Sequence, residues 1–167
     1  ISNPPDAQAI GVVVDSSDNV FVAGTATLVG GEKELMSICY KPNGDFNWLK
    51  FHGQSGDQYA RDVAYYGSSF YIACTTDHTG DPQYRIIEVS TSGTESVLVS
   101  DWGGSLTDEL KKIVVDGSGN IIATGASNSF GGGDFDYVTM KFDGSSGTTM
   151  WATAHVFDSG DGYHDEP

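Results

Sequence analysis

A threefold internal repeat limits what this chain can fold into more than any other feature of its sequence. The segments VVVDSSDNVFVAGTA, VAYYGSSFYIACTT and IVVDGSGNIIATGAS begin at Val12, Val63 and Ile113, and they align with one gap. Their starting points are 51 and 50 residues apart. A fixed period of this length is the signature of a repeat architecture, in which each copy forms one unit that packs against its neighbours.

Each copy contains four short runs with β-strand character. In the third copy we place them at Lys111 to Val115, Asn120 to Thr124, Tyr137 to Phe142 and Thr148 to Ala154, separated by the turn sequences DGSGN and DGSSG. Four antiparallel strands repeating at about 50 residues predict the blade of a β-propeller. We therefore expect an all-β propeller of three four-stranded antiparallel blades, at 1–57, 58–108 and 109–160, with 161–167 opening a further blade.

The repeat also carries a family resemblance. The string VDSSDNVFVAG, the aromatic third strand DYVTMKFD and the tryptophan in the fourth strand resemble the bacterial β-propeller repeat family known as SBBP-type. The resemblance implies the propeller fold and a secreted or surface protein, and that family shares no catalytic motif. The middle copy departs from the pattern, because Tyr66 and Cys74 replace the aspartate and the glycine of the other two copies.

Three blades do not close a propeller, which usually needs about four to eight. Either the natural protein is longer and supplies further blades, or two copies join into a six-bladed homodimer. The chain begins at Ile1 and stops within the opening of a fourth copy, so we favour the longer protein. The mass of the particle in solution distinguishes the two.

The charge balance excludes several partners. Eight Lys and Arg face 23 Asp and Glu, a net charge of −15, so the chain has no basic footprint for nucleic acid or an anionic membrane surface. No apolar run approaches the roughly 20 residues of a membrane span. By analogy with other propellers, the loops on one face should carry a carboxylate-rich rim, formed by Glu32, Glu34, Asp57, Asp62, Asp81, Asp108, Glu109, Asp134, Asp136, Asp161, Asp165 and Glu166.

Calcium is the one cofactor that this rim suggests, because Ca²⁺ prefers hard oxygen ligands. The segment DSGDGYHDE partly resembles a calcium loop, and its candidate ligands are Asp158, Asp161, Asp165 and Glu166. Two positions of the loop carry weak or wrong ligands, so a solvated acidic loop is the alternative. For an organic ligand, the candidate contacts are Trp102, Tyr59, Tyr163, Asp134 and Asp136, of which Trp102 is expected in a blade connection.

Catalysis finds little support in the sequence. The four histidines, His52, His78, His155 and His164, form no spaced metal-binding pair, and no G-x-S-x-G elbow is present. We therefore expect a non-catalytic, exported binding or structural scaffold for a protein or glycan. The alternatives are a propeller hydrolase or lactonase whose active centre needs further blades, and a subunit of a surface layer or filament.

The remaining expectations concern packing. Cys39 and Cys74 lie in different copies, and we expect two buried free thiols, with a disulfide between neighbouring blades as the alternative. Trp48 and Trp151 recur with the strands and are expected in the blade core.

Overall fold

The computed structural model describes residues 6–53, 56–77, 80, 82–104, 106–129 and 135–155. These residues form twelve strands in three four-stranded antiparallel sheets. The all-β propeller fold with three blades is thereby confirmed. Within the described ranges there is no helix long and apolar enough to cross a membrane.

Each blade is a meander in which successive strands pair. The first blade contains β1 (Asp6–Val14), β2 (Val20–Thr27), β3 (Lys33–Tyr40) and β4 (Phe46–Phe51). The second contains β5 (Asp57–Tyr66), β6 (Ser69–Asp77), β7 (Gln83–Ser90) and β8 (Glu95–Trp102). The third contains β9 (Asp108–Val115), β10 (Ile121–Ser127), β11 (Asp136–Phe142) and β12 (Thr149–His155).

The first strands of the blades lie side by side, β1 beside β5 and β5 beside β9. The fourth strands β4 and β12 are mostly exposed. The blades are therefore arranged as an arc, with first strands on the inner side and fourth strands on the outer side.

The gap in the repeat alignment has a structural cause in the first hairpin of each blade. In the third blade Asp116 closes a long turn, where its Oδ1 accepts hydrogen bonds from the backbone N–H groups of Ser118 and Asn120 at 2.8 and 2.9 Å. In the middle blade Tyr66 pairs directly with Ser69, which leaves a two-residue turn containing Gly67 at φ 63°. This shorter turn needs no aspartate cap, and Tyr66 occupies that position.

The core consists of two apolar seams between blades. Between blades 1 and 2, the rings of Phe21 and Phe70 stack at a centroid distance of 3.9 Å, and Trp48 meets Phe21 edge-on at 5.6 Å. Trp48 therefore packs in the core as expected. Trp151 does not, because it lies on outer strand β12 with 44% of its surface exposed, where the described residues place no further sheet against it.

Two strand boundaries differ from the expectation by three residues each. Strand β9 begins at Asp108 and not at Lys111, and β10 continues to Ser127 and not only to Thr124. Three of the six added residues are polar and one is a glycine, so they lack the continuous apolar pattern that marks a strand in sequence. Trp102 also differs, since it is the last residue of β8 and not part of a connection.

Both cysteines are buried free thiols, as expected. Burial raises the pKa of both, that of Cys74 to about 12. Because the thiolate is the reactive form, we expect neither thiol of the folded chain to react with Ellman's reagent near about pH 8, and both to react in guanidinium chloride. Rapid reaction of Cys74 in the native protein would contradict this burial.

Candidate functional site

A cleft of about 240 Å³ opens on the inner side of the arc, between β1 and β5. It lies where the first strand of blade 2 packs beside the first three strands of blade 1. Its lining is mostly polar and consists of Asp6, Gln8, Ile10, Thr25, Thr27, Lys33, Tyr59, Ala60 and Arg61.

Tyr59 lies at the centre of this cleft and is fixed by Asp57. The Tyr59 hydroxyl donates a hydrogen bond to Asp57 Oδ2 at 3.1 Å. The other carboxylate oxygen of Asp57 accepts the backbone N–H of Lys33 at 2.9 Å, which joins the two blades. Burial, with a further contribution from Asp57, raises the pKa of Tyr59, so its hydroxyl stays protonated at neutral pH.

Two positive side chains flank the Tyr59 ring. Lys33 Nζ lies 5.9 Å from the ring centroid and the Arg61 guanidinium carbon lies 5.4 Å from it, both within cation–π range. Arg61 is oriented by a hydrogen bond from its Nε to Thr75 Oγ1 at 3.1 Å. Within the described ranges neither side chain forms an ion pair.

Four of the other six Lys and Arg side chains form ion pairs, whereas Lys41 and Lys50 form none among the described residues. The described ion pairs of Lys and Arg are Arg85–Asp101, Lys111–Glu109, Lys112–Asp62 and Lys141–Asp116. The cleft thus combines two positive side chains that form no ion pair among the described residues with the Tyr59 hydroxyl, and the carboxylate of Asp6 also lines it. Chemically, this arrangement can bind an anion.

Trp102 lies outside the cleft, in the seam between blades 2 and 3. Its ring stacks on Tyr84 at a centroid distance of 5.4 Å and meets Phe142 edge-on at 6.3 Å. The structure therefore does not bring Trp102 together with Tyr59.

Asp136 is buried and not solvated. It is the first residue of β11, with 1% of its surface exposed. Asp57, Asp62, Asp108 and Glu109 likewise belong to strands β5 and β9. The expectation of a solvated carboxylate is wrong for Asp108 and Asp136, which are buried, whereas Asp57, Asp62 and Glu109 lie in strands with part of their surface exposed.

The other predicted site residues, Tyr163, Asp134, Asp158, Asp161, Asp165 and Glu166, lie outside the described residues. Across the ranges that are described, no group of three or more His, Cys, Asp or Glu side chains converges in a way that could hold a metal. Calcium binding by the acidic segment stays a prediction.

A hydrogen-bonded chain that sequence patterns do not indicate links Ser37, His52 and Glu95. Ser37 Oγ lies 2.7 Å from His52 Nε2, and His52 Nδ1 lies 2.5 Å from Glu95 Oε2. The order of atoms is that of a serine-hydrolase triad. Ser37, however, has no exposed surface and lies inside the seam between blades 1 and 2, so a substrate cannot reach its hydroxyl. The chain instead connects β3, the end of β4 and β8 across that seam.

Comparison with known proteins supports the fold and little else. No family model matches the chain, and no curated protein does, so membership of the SBBP-type family stays a prediction. Solved propeller structures match 89–90% of the chain. They include an ACO/RPE65 chimera, with a TM-score of 0.52 and 10% identity. Two single-residue mutants of Synechocystis apocarotenoid oxygenase also match, each with a TM-score of 0.51, at 10% and 12% identity.

The chain spans 38% of the length of these solved structures. The proteins named are enzymes, and this overturns the expectation of a non-catalytic scaffold, which rested on the lack of a recognisable motif. At this level of identity the likeness establishes the propeller fold of the chain, and no reaction is carried over with it.

Proposed function

We propose that these three blades are part of a β-propeller enzyme and that the cleft beside Tyr59 binds an anionic substrate. One observation carries the proposal: Lys33 and Arg61 approach the same ring without an ion-pair partner among the described residues. Asp6 also lines the cleft, but no described carboxylate forms an ion pair with Lys33 or Arg61, and these two cations favour a negatively charged ligand.

The chemistry of the lining narrows the substrate class. Arg61 can offer a planar fork of donors, which suits carboxylate or phosphate oxygens, and Lys33 adds a point charge. The cleft volume of about 240 Å³ fits a small molecule or one end of a larger one. Its polar lining does not suit the long hydrocarbon chain that the name apocarotenoid denotes, so the comparison supports an enzyme and not that substrate.

Anion binding can be measured directly on the chain. We expect succinate and inorganic phosphate to bind to the wild-type protein in calorimetric titrations, and Arg61→Ala to weaken binding about tenfold, since a charge-assisted hydrogen bond contributes about 1.5–3 kcal/mol. Lys41→Ala is the matched control, because it removes the same charge from an exposed turn. Equal binding by the Arg61 variant, or no binding by wild type, would contradict the proposed site.

Enzymatic activity needs its own measurement. The chain is incubated with a defined mixture of small carboxylates and phosphate esters, and mass spectrometry follows their conversion. Turnover that the Arg61 variant loses and the Lys41 variant keeps supports an enzyme acting at this cleft. Turnover unaffected by Arg61→Ala places the reaction elsewhere and overturns the proposed role of the cleft.

A further inference from the structure

The side chains of Asp108, Ser127 and Asp136 form a row across the third blade, at the end of the sheet where β9 and β11 begin. Ser127 pairs with Asp108 on one side and with Asp136 on the other. Directly opposed residues of an antiparallel sheet project to the same face. Side chains alternate between the two faces along each strand, so this row lies on the same face as Leu110 and Val138. That face packs against blade 2.

The two carboxylates of this row are buried, and three of their four oxygens have no hydrogen-bond partner among the described residues. Asp108 has no exposed surface and Asp136 has 1%. Among the described residues neither oxygen of Asp136 has a hydrogen-bond partner, and neither does Oδ1 of Asp108. Asp108 Oδ2 accepts bonds from the Gly104 N–H at 2.9 Å and the Ser129 hydroxyl at 3.1 Å. Neither carboxylate forms an ion pair with a described side chain, although burying an ionised carboxylate is costly.

Gln83 of blade 2 brings a further oxygen close to Asp108. Asp108 Oδ2 and Gln83 Oε1 would lie 2.2 and 2.4 Å from a Cβ atom placed on Gly103. Two acceptors thus approach one point from opposite blades, and a side chain at Gly103 would fill the space between them. Asp108 Oδ1 and both oxygens of Asp136 still lack a donor among the described residues, and buried acceptors without donors suit a cation.

The preceding blade contains a neutral version of the same row. There Thr76 pairs with Gln58 and Gln83, in the register that Ser127 has with Asp108 and Asp136. Gln58 and Thr76 are likewise buried. Blade 3 therefore carries two negative charges at positions where blade 2 carries two amides, and packing alone does not require those charges.

We propose that Asp108 and Asp136 bind a calcium ion above Ser127, in the seam between blades 2 and 3. The two strands that bear the carboxylates are two strand spacings apart, about 9.6 Å. Carboxylates that lean toward each other over this distance can both reach an ion with Ca–O bonds of about 2.3–2.6 Å. Ser127 and Gln83 offer neutral oxygens, and water completes the coordination. The ion would balance two buried charges and tie the connection at Gly104 to blade 3.

Thermal unfolding with and without CaCl2 tests the proposal. We expect a free Ca²⁺ concentration far above the dissociation constant to raise the Tm of the wild-type chain by about 5 °C. Asp136→Asn should lose that increase, because it keeps the shape of the side chain and removes its charge. The same variant should have a higher Tm than wild type in EGTA, since an uncompensated buried carboxylate is gone.

Glu34→Gln is the matched control. Glu34 pairs with Ala26 in blade 1, in the same register as Asp136 with Ser127, and no preceding sheet of the described chain faces it. This variant should keep the full calcium effect. Asp161→Asn/Asp165→Asn tests the acidic segment separately, and it too should keep the effect.

Two results would overturn the proposal. One is a wild-type Tm that does not respond to Ca²⁺, together with no terbium luminescence sensitised by Tyr84 and Trp102. The other is a calcium effect that persists in Asp136→Asn and Asp108→Asn but disappears with the acidic-segment variant. If Asp136→Asn fails to fold, calcium-competed terbium binding to Asp108→Asn decides between the same outcomes.

Discussion

Replacing His52 with alanine is expected to lower the free energy of unfolding by about 3 kcal/mol, from the lost packing of a fully buried ring and the unpaired hydroxyl it leaves. The His52 ring has 1% of its surface exposed and bridges Ser37 of its own blade to Glu95 of the next. Its removal leaves the buried Ser37 hydroxyl without its acceptor and detaches β8 from blade 1. Denaturant unfolding followed by tryptophan fluorescence measures the loss.

Ser37→Ala provides the internal control for this loss. Alanine at position 37 removes the hydroxyl that His52→Ala would leave unpaired, so the double variant should lose less than the sum of the single losses. Glu95→Gln should cost less than His52→Ala, because 48% of the Glu95 side chain is exposed. Additive losses would show that Ser37 and His52 do not act as a unit.

The same histidine gives the stability of the protein a defined pH dependence. Burial lowers the pKa of His52 below its ordinary value of 6.5, and Glu95 opposes the shift only in part. The unfolded chain therefore binds a proton more readily than the folded protein. The contribution of neutral His52 to the free energy of unfolding is fully present above about pH 6.5. It falls as the pH decreases through the lowered pKa of the folded state. A His52→Ala chain should lack this part of the slope, and an unchanged slope would contradict the assignment.

The fold could be predicted from the sequence because its information is local and repeated. Turn residues such as Asp15 and Asp116 mark the hairpins, and apolar runs such as VFVA and IIAT mark strands packed on both faces. The ends of the strands were harder to predict from the sequence. Asp108 and Ser127 extend β9 and β10 beyond their apolar residues, so the pattern placed Asp108 on a solvated rim when it is buried in a seam.

The candidate sites could be predicted only in part, because blades meet through residues far apart in the chain. The sequence predicts Tyr59 as an aromatic contact beside a blade connection, but its partner Lys33 belongs to the preceding copy. Ser37 and Glu95 are brought to His52 in the same way. Single-sequence patterns describe one strand or one turn, and they carry no information on which faces of two blades meet.

The glycine that the middle copy replaces with Cys74 tests how neighbouring blades fit. Gly125 of blade 3 lies under Tyr84, whose hydroxyl donates to the carbonyl of Ala126 at 2.9 Å. A Cβ atom on Gly125 would lie 2.2 Å from the carbonyl oxygen of Glu109 and 2.5 Å from the Tyr84 hydroxyl. In blade 2, Cys74 shares its seam with Leu35, the blade 1 residue that corresponds to Tyr84.

We therefore expect Gly125→Cys, which gives blade 3 the residue of blade 2, to lower the free energy of unfolding by about 3 kcal/mol or prevent folding, because backbone must move to relieve the overlap. The reverse change, Cys74→Gly, should cost only about 1–2 kcal/mol, from a more flexible strand and a small cavity. Tyr84→Leu should partly rescue Gly125→Cys by removing one of the two overlaps. If Gly125→Cys proves as mild as Cys74→Gly, the close approach of β9 and Tyr84 to Gly125 is wrong. The denaturant midpoints of the three variants, compared with that of the wild type, test these expectations.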